Sequence, residues 1–116
     1  MVKFVGMLKR KPGMSAEEFH RYWREVHAPF VMSVHEFARY VRKYVQSHAT
    51  PDQATVAGAG GNPAFDGLAE LWFDSAEDAR KAFTEPRYLS EIRPDELKFL
   101  DLPNCVTLMV EEIQMM

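Results

Sequence analysis

Residues Val2–Leu8 (VKFVGML) are apolar with a single lysine, and Pro12-Gly13 then turns the chain, which predicts a first strand ended by a turn. Residues 15–18 (SAEE) make a capping box, in which the Ser15 hydroxyl satisfies free helix amides and Glu18 reaches back. Phe19, Tyr22, Trp23, Val26 and Phe30 follow at helical spacing and form one apolar stripe. Ala28-Pro29 is expected to kink or interrupt this helix, because proline clashes with the preceding turn and its predecessor avoids the helical region. Residues 37–47 (FARYVRKYVQS) alternate imperfectly. They predict a second strand with Ala38, Tyr40, Arg42, Tyr44 and Gln46 on one face and Arg39, Val41, Lys43 and Val45 on the other. Residues 48–65 carry Pro51, Gly58, Gly60, Gly61 and Pro63 and read as a long loop, a lid or a dimer contact. Gly67–Phe73 (GLAELWF) reads as a third strand. Asp74 or Ser75 caps a second helix that stops before Pro86. A short helical segment over residues 94–100 (PDELKFL) precedes a fourth strand at 105–113 (CVTLMVEEI).

This order, βαββ followed by two helical segments and a last strand, packs naturally as an α+β domain: a ferredoxin-like, four-stranded antiparallel sheet with helices on one face. The first, third and fourth strands carry large apolar residues on both alternating sets, which does not suit a sheet with one wet face. A second copy of the same sheet is the simplest cover. The expectation is a homodimer whose facing sheets enclose a barrel-like cavity.

The chain has 116 residues, a single domain spanning 1–116 by size. With 47% hydrophobic residues it is globular rather than disordered. No apolar run has the length needed to span a bilayer, and the N-terminus lacks the pattern of a secretory signal, so no membrane association is expected. The net charge of −3 gives no reason to expect nucleic acid. One cysteine, Cys105, rules out an internal disulfide framework and makes a cytoplasmic location the default.

The stretch HRYWREVHAPFV (residues 20–31) concentrates the candidate chemistry. His27 falls in the last turn of the expected broken helix. It either caps carbonyls freed by Pro29 or presents a nitrogen at a cavity mouth, where a near-neutral pKa suits proton transfer. Trp23 belongs to the buried stripe or to a pocket wall. Tyr40 and Tyr44 share a strand face with Arg42 and Gln46, either to line a polar-apolar cavity or to sit at a dimer seam. Glu70 lies on a strand that reads as buried, so it needs a partner, for which Arg42 or Arg39 is expected, or a raised pKa. Trp72 is core or cavity wall. His20 and His27 are roughly 10 Å apart along a helix, too far to share one metal, and His35 and His48 have no ligand-spaced neighbour, so no metal is assigned. The glycines of AGAGGNP do not meet the dinucleotide fingerprint.

The phrases KFVGMLKRKPGMSAEEFHRYWREVHAPFV, RYVRKYVQSH and FDGLAELWFDSAEDARKAF resemble the EthD family of the dimeric α/β-barrel superfamily. The resemblance implies a ferredoxin-like fold in a dimeric barrel. It implies kinship with polyketide cyclases, with dehydratases of fungal aromatic pathways and with a methylmuconolactone methylisomerase, which act without a cofactor. In the catalytic relatives a histidine ending the first helix and a tyrosine on strand two face the cavity, and His27 and Tyr40 stand at the matching places. The methylisomerase also uses a strand-three cysteine, where this chain reads Glu70-Leu71-Trp72.

The expected activity is therefore cofactor-independent acid–base chemistry, of cyclase, dehydratase or isomerase type, on a small cyclic, aromatic or polyketide-like compound. His27 and Tyr40 would be catalytic, and Tyr44, Arg42, Trp23, Glu70 and Trp72 would bind substrate. A non-catalytic carrier of a hydrophobic metabolite in an oxygenase pathway is the alternative, and a haem-binding oxidoreductase a third reading.

Overall fold

The computed structural model describes residues 1–51 and 63–116, so the readings placed on Gly58, Gly60 and Gly61 lie outside the described residues. The strands are β1 (Val2–Leu8), β2 (Val41–His48), β3 (Gly67–Phe73) and β4 (Val106–Val110). They pair antiparallel in the order β2-β3-β1-β4. Pairing of Phe4 with Leu71 and Gly6 with Ala69 puts these residues, Leu8 and Phe73 on one face. Lys3, Val5, Met7, Leu68, Glu70 and Trp72 take the other, as the period of two requires.

Helices cover the first face: α1 (Ala16–Tyr22), α2 (Ala28–Ser33), α3 (His35–Ala38), α4 (Ala76–Phe83) and α5 (Arg93–Glu96). Ser15 caps α1 by accepting from the Glu18 amide at 3.1 Å, and Ser75 caps α4 by accepting from the Asp78 amide at 3.1 Å. Phe19, Trp23, Phe37, Phe73 and Phe99 are fully buried between helices and sheet. Each such side chain contributes about 1.5–3 kcal/mol relative to exposure.

The first helix is not broken at Pro29. Residues 16–33 stay helical, because Trp23–His27 widens into a π-turn in which the Ala28 amide reaches back to the Trp23 carbonyl. The wider turn relieves the clash that a proline ring makes with the carbonyl four residues earlier. The same device recurs at Tyr88–Ile92, where the Arg93 amide reaches back to the Tyr88 carbonyl just before Pro94. The short helical segment therefore begins earlier than residue 94.

Strand two starts at Val41 rather than residue 37, since residues 35–38 form a helical turn that buries Phe37 in the core. A bulge between Val41 and Lys43 breaks the expected alternation. It turns Arg42 outward, where its Nε donates to Asp74 at 3.0 Å, and sends Tyr44 and Gln46 to the helix side opposite Leu71 and Ala69. Strand four is shorter than expected, ending at Val110.

The second sheet face is bare in the single chain. Leu108 is 46% exposed there, beside Leu68 and Val106. Glu70 belongs to this face and pairs with Lys3 at 2.7 Å, not with Arg42 or Arg39. The charge found its partner on the adjacent central strand. Trp72 lies between the ammonium groups of Lys3 and Lys43, 5.0 and 4.7 Å from its ring, and donates to Glu112.

Gly67 joins the two layers. A β-carbon there would lie 2.6 Å from the Ser47 carbonyl and 2.6 Å from the Trp23 ring, and neither neighbour has room to retreat. Gly67→Ala is expected to destabilise the protein by about 1–3 kcal/mol through this overpacking. The midpoint of urea unfolding measures it, and an unchanged midpoint would show that the layers part freely at this point.

Candidate functional site

Beneath the helices, between them and the sheet, lies a cavity of about 190 Å³. Its floor is Phe4, Gly6, Leu8, Tyr44, Ala69 and Leu71, and its roof includes Trp23, His27, Val31, Tyr88, Ile92 and Phe99. It is thus inside the protomer, on the helix side, and not on the open sheet face between facing copies. The bulge in β2 brings Tyr44 to it. The volume is on the scale of one ring, since a 150 Å³ apolar cavity holds benzene. A tetrapyrrole would not fit.

His27 is 6% exposed and Asp95, from α5, is 7% exposed. The His27 Nδ1 lies 2.7 Å from Asp95 Oδ2, and the Tyr22 hydroxyl donates to Asp95 Oδ1 at 2.6 Å. Lys98 approaches the same oxygen at 3.5 Å. Burial lowers the His27 pKa and outweighs the opposing pull of Asp95. Burial also pushes the Asp95 carboxyl upward, but Tyr22, His27 and Lys98 together hold it below its ordinary value. Tyr22, desolvated and beside that carboxylate, is raised to about 12. The consistent state at neutral pH is a carboxylate that accepts Nδ1–H from a neutral imidazole. That leaves the Nε2 lone pair of His27 unpartnered among the described residues. A carboxylate that fixes the tautomer and the ring orientation is the standard way to prepare histidine as a base. The ring does not cap carbonyls freed by Pro29.

A second polar group lines the cavity. The Tyr88 hydroxyl donates to Glu96 at 2.8 Å, and Arg93 Nε pairs with Glu96 at 3.0 Å. Burial pushes the Glu96 carboxyl up against the pull of Tyr88 and Arg93. Tyr44 is raised by burial, with Gln46 and Trp23 pulling it back through hydrogen bonds to its oxygen.

The sequence-derived residues divide by position. His27, Tyr44 and Trp23 line the cavity. Tyr40 does not; it packs on the edge of the core just before β2, with the Arg39 guanidinium 4.8 Å over its ring. Arg42 is turned out by the bulge, and Glu70 and Trp72 belong to the open face, so none of these reaches the cavity. Asp95, Glu96, Tyr88 and Arg93 were missed. A signal exists for Tyr88 and Arg93: WREVHAP and YLSEIRP are both a five-residue turn that opens on an aromatic residue, followed by one residue and proline. His20 and His48 meet through Nδ1 atoms 2.7 Å apart. Among the described residues, no group of three or more His, Cys, Asp or Glu gathers at metal-binding distance.

The four-stranded antiparallel sheet with helices on one face is a ferredoxin-like α+β fold, here with a buried histidine–carboxylate pair beside a ring-sized cavity. Residues 11–103 match the EthD domain, and the chain belongs to that family. Over 98 residues it is 31% identical to the conidial pigment biosynthesis dehydratase EthD of Metarhizium robertsii, a stretch covering 79% of this chain and 68% of that protein. It is 30% identical over 98 residues to the dehydratase ustZ of Ustilaginoidea virens, covering 79% and 69%. An EthD-like protein from Ralstonia eutropha superimposes with a TM-score of 0.71 at 20% identity, over 99% of this chain and 94% of that one. A dimeric protein of ferredoxin-like fold from Bacteroides fragilis gives a TM-score of 0.65 at 13% identity, over 96% and 95%. Among the described residues no helix is long and apolar enough to cross a membrane.

Asp95→Asn is expected to cost about 1–3 kcal/mol of stability, because His27 and Tyr22 lose a charged acceptor. It is also expected to lower the His27 pKa further. The sign of the pH dependence follows from the directions. With its folded pKa depressed, His27 binds fewer protons folded than unfolded, so stability falls as pH drops below the unfolded value of about 6.5. Asp95, also depressed, contributes stability above about pH 4 that is lost on further acidification. NMR titration of the imidazole, with denaturation at several pH values, tests both. An imidazole midpoint above 6.5 in the native protein would refute the buried neutral state.

Proposed function

We propose that this protein is a dehydratase that removes water from a small cyclic hydroxy-ketone, using acid–base chemistry of its own side chains. The observation that carries this reading is the His27–Asp95 pair, whose imidazole lines the cavity with its Nδ1 held by the carboxylate. The two relatives named as dehydratases support it.

In this mechanism the Nε2 of His27 takes the proton from the carbon next to the ketone. The C–H electron pair moves into the carbonyl, and the Tyr44 hydroxyl hydrogen-bonds the enolate oxygen as charge develops. The carbonyl then re-forms, the carbon–carbon double bond appears, and the C–O bond of the neighbouring hydroxyl breaks. The departing oxygen takes the proton back from imidazolium Nε2–H and leaves as water, so His27 ends neutral. Asp95 stabilises the imidazolium between the two transfers. Tyr44 replaces Tyr40 as the donor, because it is the strand-two hydroxyl on the cavity wall. The Tyr88–Arg93–Glu96 group orients the ring from the roof.

The open sheet face fits a second copy of the chain, in a homodimer. Its exposed Leu68, Val106 and Leu108 need cover, and the Bacteroides fragilis neighbour is itself described as dimeric. Native mass spectrometry is expected to find a dimer, and Leu108→Lys a monomer; a monomeric wild type would end this part of the proposal.

The activity test incubates the protein with single-ring hydroxy-ketones and follows loss of water by mass. Conversion of one compound is expected, and His27→Ala should slow it roughly 100-fold or more with the fold retained. Full activity without His27 would exclude the mechanism. Binding with no loss of mass in either form would favour the carrier reading.

A further inference from the structure

Gln46 touches three groups at once. Its Nε2 lies 3.0 Å from the Trp23 carbonyl oxygen and 3.2 Å from the Tyr44 hydroxyl oxygen. Its Oε1 lies 2.9 Å from His48 Nε2, and His48 Nδ1 lies 2.7 Å from His20 Nδ1. A main-chain carbonyl only accepts, so the side of the amide facing Trp23 is the NH₂ group. The other side is then the oxygen, and it accepts from His48 Nε2–H. Neutral His48 has one ring proton, so its Nδ1 is bare and accepts from His20 Nδ1–H. One acceptor on the π-turn thus fixes every proton along the row.

The consequence reaches the cavity. One amide proton goes to the Trp23 carbonyl, and the other to the Tyr44 oxygen. Tyr44 accepts there, and from the Trp23 side chain as well, and keeps its own proton, for which the described residues offer no acceptor. Its ring belongs to the cavity wall.

We propose that Gln46 is the specificity-determining residue of the site: it presents the Tyr44 hydroxyl to the cavity as a hydrogen-bond donor, so that the cavity selects ring compounds carrying a carbonyl oxygen. The proposal rests on the dehydratase reading in taking the same cavity as the substrate site. Gln46 is a positioning residue that acts through Tyr44. A tyrosine free to rotate would accept or donate with equal ease and would not distinguish a ketone from an alcohol.

Two probes of similar shape, acetophenone and ethylbenzene, differ at the carbonyl position. Both are titrated into the whole protein and followed by NMR. The ratio of their affinities is expected to shift against acetophenone by roughly 2- to 10-fold in Tyr44→Phe, as one neutral hydrogen bond predicts. The same shift is expected in Gln46→Glu, whose carboxylate captures the tyrosine proton. An unchanged ratio in either variant overturns the proposal and leaves the dehydratase reading standing. Failure of both probes to bind the wild type overturns the proposal, while the dehydratase reading stands or falls on conversion of the hydroxy-ketones. Should Gln46→Glu not fold, nitrogen shifts of the unaltered protein decide. His48 is expected as the Nε2–H tautomer, and a proton on its Nδ1 overturns the amide orientation and the proposal with it.

Discussion

The hydrogen bond between His27 and Asp95 is the constraint on which the rest of the site depends. It joins residues 68 positions apart, one at the end of a π-turn in the first helix and the other in the short helix after the second π-turn. Each partner is nearly fully buried, and either alone would be an uncompensated polar group in an apolar roof. Together with Tyr22 they share the cost of burial, and the two helical segments of the roof are tied to each other above the cavity. The same bond sets the state of the imidazole, because a carboxylate at Nδ1 leaves only Nε2 unpaired.

Prolines give the site its shape in an unexpected way. Pro29 reads as a helix breaker and Pro94 as the start of a short helix, yet each follows a widened turn through which the helix continues. A π-turn adds one residue to the loop of a helical hydrogen bond and rotates the side chains beyond it. His27 and Ile92 close these turns and both line the cavity. In the first turn the Trp23 carbonyl accepts from the Ala28 amide and from Gln46 as well. A backbone irregularity thereby becomes part of the polar lining.

The succession of strands and helices, the cap at Ser15, the second cap at Asp74 or Ser75 and the bare sheet face were legible in the sequence, because they rest on local periodicity and on apolar residues on both faces of a strand. His27 was legible as a candidate through its setting in HRYWREVHAP. Its partner was not. No local pattern relates Asp95 to a histidine 68 residues earlier, and PDELKFL reads like any short amphipathic helix. The assignment of strand-two faces failed for a different reason. A bulge shifts the period by one residue, so Arg42 and Tyr44 part company, and nothing in FARYVRKYVQS marks the place. Glu70 was rightly read as needing a partner, but that partner is Lys3, diagonally across on β1, and not Arg42, which the bulge turns towards Asp74, or Arg39, which pairs with Glu85.

The floor of the cavity carries a broader consequence. It is deep because Gly6 and Ala69 pair at the centre of the sheet and contribute almost no side chain. A β-carbon added at Gly6 would meet only Leu8 and Phe4 side chains, at 3.4 and 3.5 Å, which is ordinary contact. Space in the cavity is thus opened by strand residues, while the His27–Asp95 pair stands on the helical segments of the roof. The two properties have separate addresses in the chain. A methyl group added or removed on the sheet changes the size of the chamber and leaves the buried polar arrangement above it in place.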